Sequence, residues 1–234
     1  LLLTNMKKGH MAGKRSYDDG CAAAFALDLI GERWALLVVR ELMFGPKRFS
    51  DLKADLRTIT PNVLTQRLED LEAAGIITRR RLPPPAASSV YELTPWGRAL
   101  EPVLIELGRW GAQSPALPQG RPISAASTVL SLRTLFDPTI AGDTGIRLSL
   151  VLDGVPFSVR VRAGEFEVAA HQHDSNAEAE VVTSATTLDS LLFNNADLDR
   201  AIAGKDVQLT GDRRAFDRFL SWFPLPAEGT AAAE

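Results

Sequence analysis

Thr60-Pro61-Asn62-Val63-Leu64-Thr65-Gln66-Arg67-Leu68-Glu69-Asp70-Leu71-Glu72-Ala73-Ala74-Gly75 is the stretch that decides the fold. Thr60 is a good N-cap, Pro61 suits the first helical position, and Gly75 suits the far end, so the pattern predicts a helix over Thr60–Ala74. At helical spacing Leu64, Leu68 and Leu71 form one narrow apolar stripe. Asn62, Gln66 and Glu69 point the other way, with Thr65 at the edge. Arg67 falls near the stripe, where a structural ion pair is expected.

Outward from this helix, the chain upstream reads as three more. Helical periodicity runs from Cys21 to Ile30 and stops at Gly31. A second helix spans Glu32–Met43 and ends at Gly45-Pro46. A third spans Phe49–Leu56, with Ser50 as its expected cap. Downstream, Ile76–Leu82 is β-branched and basic, Val90–Leu93 is a second strand, and Pro83–Ser89 is the loop between them. Thr94-Pro95 repeats the cap-plus-proline start and opens an amphipathic helix to about Gln113, with Leu100, Val103, Leu104, Leu107 and Trp110 on its apolar side.

Helices, a helix with a polar outer face and a basic hairpin, in that order, make a winged helix-turn-helix. A helix laid in the major groove needs short forked hydrogen-bonding side chains near its N-terminus; Asn62 and Gln66 are such groups, with Thr60 and Thr65 beside them. Lys47 and Arg48 before the third helix, and Arg79, Arg80 and Arg81 on the hairpin, are the expected contacts to phosphate or a minor groove. The plain alternatives stay open at this point: a solvated helix face for Asn62 and Gln66, and an edge strand protected by charge for the arginines.

The charge distribution favours the same half. Residues 1–111 hold 16 Lys+Arg against 13 Asp+Glu, a balance of +3. Residues 112–234 hold 10 against 16, a balance of −6. A polyanion should meet the first half, and double-stranded DNA is the expected partner. A single cysteine excludes an intrachain disulfide and a cysteine-based zinc cluster and suits a reducing compartment, so a cytoplasmic location is expected. No apolar run approaches the roughly 20 residues that span a bilayer, and no membrane association is expected. Residues 1–15 read as a basic arm in which Gly9-His10-Met11 has the look of a cloning scar.

Ser114–Ser124 is rich in proline and reads as a linker at 114–123, separating a first domain at 16–113 from a second at 124–223, with a tail at 224–234. In the second domain a helix at about Ala126–Phe136 precedes strands at Ile146–Leu152, Pro156–Arg162, Phe166–His171 and Ala179–Ser184. Helices at Thr187–Phe193 and Leu198–Ala203, a strand at Val207–Leu209 and a helix at Arg213–Phe223 come next. The expected class is α+β: a winged helix-turn-helix and a helix-flanked, mainly antiparallel sheet.

Residues 21–111 resemble the HxlR-type branch of the winged-helix regulators, related in architecture to MarR-type proteins. The resemblance is carried by Ala26–Trp34, Arg40–Leu52, Ile59–Leu68 and Leu93–Leu100. It implies a homodimeric repressor binding an inverted-repeat operator, paired through the Thr94–Gln113 helix and the segment around Cys21. It also implies a place for Cys21 as a sensor of oxidants or electrophiles. The alternative is an inert cysteine, since Asp18 and Asp19 oppose ionisation.

Residues 124–223 resemble a sterol-carrier-protein-like domain, chiefly through Ala201–Asp212 and the aromatics beyond it. That likeness implies an apolar tunnel lined by Phe136, Phe157, Phe166, Phe193, Phe216, Phe219, Trp222 and Phe223 and a lipophilic small-molecule effector; the alternative is plain aromatic core. His171 and His173 alternate on a strand without completing a ligand set, so no metal and no cofactor are expected. No G-x-S-x-G, P-loop or G-x-G-x-x-G motif occurs, and the chain is not expected to be an enzyme. Two rival functions are a thiol-switch repressor whose second domain only dimerises, and a lipid carrier or enzyme using that second domain.

Overall fold

The computed structural model describes residues 16–83 and 88–226. The basic arm at 1–15 with His10, the middle of the hairpin loop at 84–87 and the tail from 227 lie outside the described residues. The chain divides into two compact units, the first ending at Leu100 and the second starting at Glu101. Among the described residues no helix is long and apolar enough to cross a membrane.

The first unit holds α1 (Ala22–Ile30), α2 (Ala35–Leu42), α3 (Phe49–Asp55), α4 (Pro61–Ala73), the hairpin β1 (Ile77–Arg81) and β2 (Ser89–Leu93), and α5 (Pro95–Arg98). α2 starts three residues later than its periodicity suggests. Trp34 takes a left-handed conformation, φ 79°, that no helix can continue through. α3 is capped at Arg48 and not at Ser50: the Asp51 carboxylate accepts the Arg48 backbone N–H at 3.0 Å, which leaves Ser50 as a helical residue.

α4 carries its cap as written in the sequence. Thr60 Oγ1 accepts the Val63 N–H at 3.4 Å, and Gly75 closes the end at φ +72°. Leu64, Leu68 and Leu71 are buried, together with Val38, Val39 and Leu52 of the neighbouring helices. The hairpin is antiparallel, with Ile77 opposite Leu93, Arg79 opposite Tyr91 and Arg81 opposite Ser89. Lys47 adds a further bridge to β2: its N–H donates to the Tyr91 carbonyl at 3.0 Å, and its carbonyl accepts the Tyr91 N–H at 2.8 Å.

Thr94 fastens the start of α5 to the end of α4. Its hydroxyl donates to the Gly75 carbonyl at 2.8 Å and accepts the Gly97 N–H at 3.0 Å. Gly97 itself must be glycine, because a Cβ there would sit 2.1 Å from the Ile76 carbonyl oxygen. The long helix expected over Thr94–Gln113 is two helices, α5 and α6 (Glu101–Ala112). Pro102 has no N–H to continue the ladder, and the turn at Ala99–Leu100 tightens, with Leu100 N–H donating to the Gly97 carbonyl at 3.2 Å.

The second unit opens with α6 and α7 (Ala125–Leu135). By compactness the chain divides ahead of α6, so that helix packs with the second unit. α6 and α7 are held together by the Glu101–Arg133 ion pair and by Arg109, which donates to the Thr134 carbonyl at 3.3 Å. A short α8 (Pro138–Ala141), capped by Asp137, was not legible from periodicity. The strands are β3 (Ile146–Leu152), β4 (Val155–Arg162), β5 (Glu165–Ala170), β6 (Ala179–Thr183) and β7 (Val207–Gly211), ordered β5-β4-β3-β6-β7. Among these strands only β3 and β6 run parallel. α9 (Ala185–Phe193), α10 (Leu198–Ala203) and α11 (Arg213–Leu220) complete the α+β unit.

Among the aromatic residues expected to line a tunnel, Phe136, Phe166, Phe216, Phe219, Trp222 and Phe223 make ring contacts with one another. Phe136 stacks on Phe166 at 5.2 Å between centroids, Phe219 meets Phe223 edge-on at 4.9 Å, and Phe223 touches both Phe136 and Phe166. Phe157, Phe216, Phe219, Trp222 and Phe223 are buried. Edge-on and offset contacts of this kind are favourable packing arrangements for aromatic rings. Phe193, at the end of α9, is half-buried. His171 and His173 also differ from expectation: β5 ends at Ala170, and His171 turns away at φ +58°. His173 leaves the strand and lies over the sheet, its Nδ1 2.8 Å from Ser149 Oγ and its Nε2 3.1 Å from Glu180. Ser149 is fully buried beneath it, so this trio is no nucleophile site.

Candidate nucleic-acid interface

α4 presents two chemistries on opposite sides. The leucine stripe anchors it, which leaves Asn62, Thr65, Gln66 and Glu69 to the outer side. The N-cap at Thr60 fixes where the helix begins and takes up the Val63 N–H of the first turn. Gln66 Nε2 donates to Asp70 at 3.2 Å, an exposed bond that a base edge can replace at little cost. Arg67 is structural: it is half-buried, pairing with Asp70 at 3.1 Å and reaching Glu32 at 3.7 Å.

The wing arginines are not equivalent. Arg80 grips Glu92 with two bonds of 3.1 Å, and that hydrogen bonding holds the Glu92 carboxyl below the usual carboxylate range. Arg79 lies over the Tyr91 ring at 5.8 Å, while its backbone N–H donates to Glu72 at 3.2 Å. Arg81 is exposed at the outer end of β1. Arg79 and Arg81 alternate with Arg80 along the strand and so share one face.

Lys47 is engaged within the protein. Its ammonium sits 2.9 Å from Glu41 and 2.6 Å from Asp55, and Glu41 has no exposed side-chain surface. Burial alone would push the lysine pKa down, but the two carboxylates outweigh it and the net shift is upward. A lysine so engaged must give up these partners before it can donate to phosphate. The signal was in the sequence: Glu41 falls on the apolar stripe of its helix, and a carboxylate there needs a cation. Arg48, next in the chain, is exposed and keeps its guanidinium for solvent or phosphate.

Cys21 is exposed and occupies the N-cap of α1. The backbone N–H groups of Ala24 and Ala23 pull its thiol pKa down. In the second unit an open cleft of about 660 Å³ runs beside β5, lined by Arg133, Arg160, Phe166, Glu167 and Asp174 among others. Of the eight aromatics expected to line a pocket, Phe166 alone borders it. The walls are charged as much as apolar.

Residues 29–117 match the model for the HxlR-like helix-turn-helix, and residues 127–228 match that for the alkyl sulfatase C-terminal domain. Over 88 residues the chain is 36% identical to the uncharacterized HTH-type transcriptional regulator YvaP of Bacillus subtilis, an alignment spanning 38% of this chain and 82% of that protein. It is 38% identical over 88 residues to the HTH-type transcriptional regulator YodB of the same organism, spanning 38% and 79% of the two. The solved structure of reduced YodB aligns with 42% of this chain and 98% of its own, at 34% identity and a TM-score of 0.38.

Proposed function

This chain belongs to the HxlR-like helix-turn-helix family of transcriptional regulators, and on that premise we propose that it is a homodimeric repressor whose α4 enters the major groove of each half of an inverted-repeat operator. The observation that carries this reading is α4 itself, with Asn62, Thr65 and Gln66 on its outer side over a buried leucine stripe and Arg79 and Arg81 on one face of the wing. One such helix reads too few base pairs for specificity, so a second copy related by a two-fold axis is required. Supporting the dimer, α1 leaves Phe25 and Leu27 about half exposed, and α6 leaves Val103, Leu107 and, at 73%, Trp110 exposed. The test is selection of binding sites from a randomised duplex library with the full chain, followed by the mass of the complex. Two related half-sites and two protomers per duplex are expected; no enriched sequence, or one protomer per site, overturns it.

For control of that binding, two readings are supported by different observations. A thiol switch at Cys21 is favoured by its exposure and lowered pKa; with one cysteine in the chain, any disulfide would join two chains. A small-molecule effector in the second unit is favoured by the open cleft. Because the aromatics of the sterol-carrier-like reading pack together, an effector there would be amphipathic, with its polar end at Arg133 and Arg160 and its apolar part on Phe166. Either signal changes DNA affinity only if it favours one arrangement of the dimer over the other.

A further inference from the structure

We infer that Val63 is a specificity-determining residue that reads the 5-methyl group of a thymine, next to the adenine that Gln66 would read. The inference rests on α4 being the recognition helix. Val63 is 39% exposed, although the core beneath α4 is already filled by Leu64, Leu68 and Leu71. Its outward neighbours on the same helix are the polar Asn62, Thr65, Gln66 and Glu69, so this side chain is an apolar point on a polar surface.

Its position is that of a reader. Val63 stands in the first turn, where its N–H bonds Thr60 Oγ1 at 3.4 Å, and side chains of that turn lean toward the end of the helix that enters the groove. Gln66 is three residues on, so the two side chains are surface neighbours. Helix propensity gives no reason for a valine here, since β-branched residues are mediocre helix formers. The same branching gives valine one dominant χ1 well in a helix, which presents two methyl groups with little entropy to lose. Among the four bases only thymine shows a methyl group in the major groove, and apolar contact is how it is read.

The experiment takes the sequence selected by the full chain and replaces each thymine in turn by deoxyuridine, which keeps every hydrogen-bonding group and lacks only the methyl. Binding is measured by fluorescence anisotropy. Wild-type protein is expected to lose about four-fold in affinity, roughly 0.8 kcal/mol, at one thymine per half-site. Val63→Ala is expected to bind the thymine duplex that much more weakly and to be indifferent to uracil at that position. Uracil without effect at every position, on a duplex still bound specifically and still sensitive to Gln66→Ala, overturns the inference while leaving α4 as the reader. An undiminished uracil effect in Val63→Ala also overturns it, assigning the methyl to another residue. If no sequence is selected at all, the recognition-helix reading falls and this inference falls with it.

Discussion

The Lys47 ammonium and the Glu41 carboxylate lie 2.9 Å apart, and the Glu41 side chain has no contact with solvent. Glu41 also takes a 2.7 Å bond from Arg40, and Lys47 a 2.6 Å bond to Asp55. Since the Lys47 backbone pairs with Tyr91 of β2, this one residue ties α2 and α3 to the wing. Lys47→Met should destabilise the protein by about 2–3 kcal/mol, less than the loss for a fully buried pair because Lys47 is 22% exposed and Arg40 stays with Glu41. The folded-state pKa of Lys47 is raised, so its contribution is fully present below the ordinary lysine range and is lost only as pH climbs through the folded value. Urea melts across neutral pH should show a constant gap between variant and wild type. The salt slope of DNA binding should not change; a flattened slope would make Lys47 a phosphate contact after all.

The second prediction separates reading from anchoring on α4. Asn62→Ala and Gln66→Ala should each relax preference at one position of the half-site at a cost of about 1–3 kcal/mol, with non-specific binding preserved. Competition with operator variants measures this. Equal weakening on every sequence would assign these side chains to the backbone instead.

On the wing, the Arg80–Glu92 pair makes the three arginines unequal. Arg79→Ala and Arg81→Ala should each flatten the dependence of log K on log salt by up to about 0.9, and Arg80→Ala by less. Glu92→Gln frees Arg80 and should steepen the slope. Three equal effects would mean that the Arg80–Glu92 bonds open on DNA.

Cys21 should react with iodoacetamide with a lower pH midpoint than an unstructured peptide carrying the same cysteine, because the α1 N–H groups favour its thiolate. Cys21→Ser should retain DNA binding while losing any response to oxidants or electrophiles. A response that survives in Cys21→Ser moves sensing to the second unit.

The last prediction concerns where the second unit begins. A fragment of residues 101–226 keeps the Glu101–Arg133 pair and the α6 cover on α7, and should unfold cooperatively. A fragment starting at 124 exposes that side of α7 and should unfold at lower urea, with a smaller m-value. Equal midpoints would place the boundary in the proline-rich stretch.

What the sequence determined by itself is local: the limits of α4, its cap, its two faces, the hairpin after it and the α+β class of the second unit. These rest on periodicity and turn chemistry, which act within a few residues. Pro102 also stood in plain sight, but whether a proline bends a helix or ends it depends on what receives the next turn. The tertiary structure decided the partners. It set Glu41 and Asp55 against Lys47, and it bound Arg80 to Glu92 while leaving Arg81 exposed. In the second unit it brought several of the aromatics into contact with one another. In each case the charge or ring was legible, and what it meets was not. A side chain's use depends on which groups the fold brings within about 4 Å, and sequence spacing does not encode that distance.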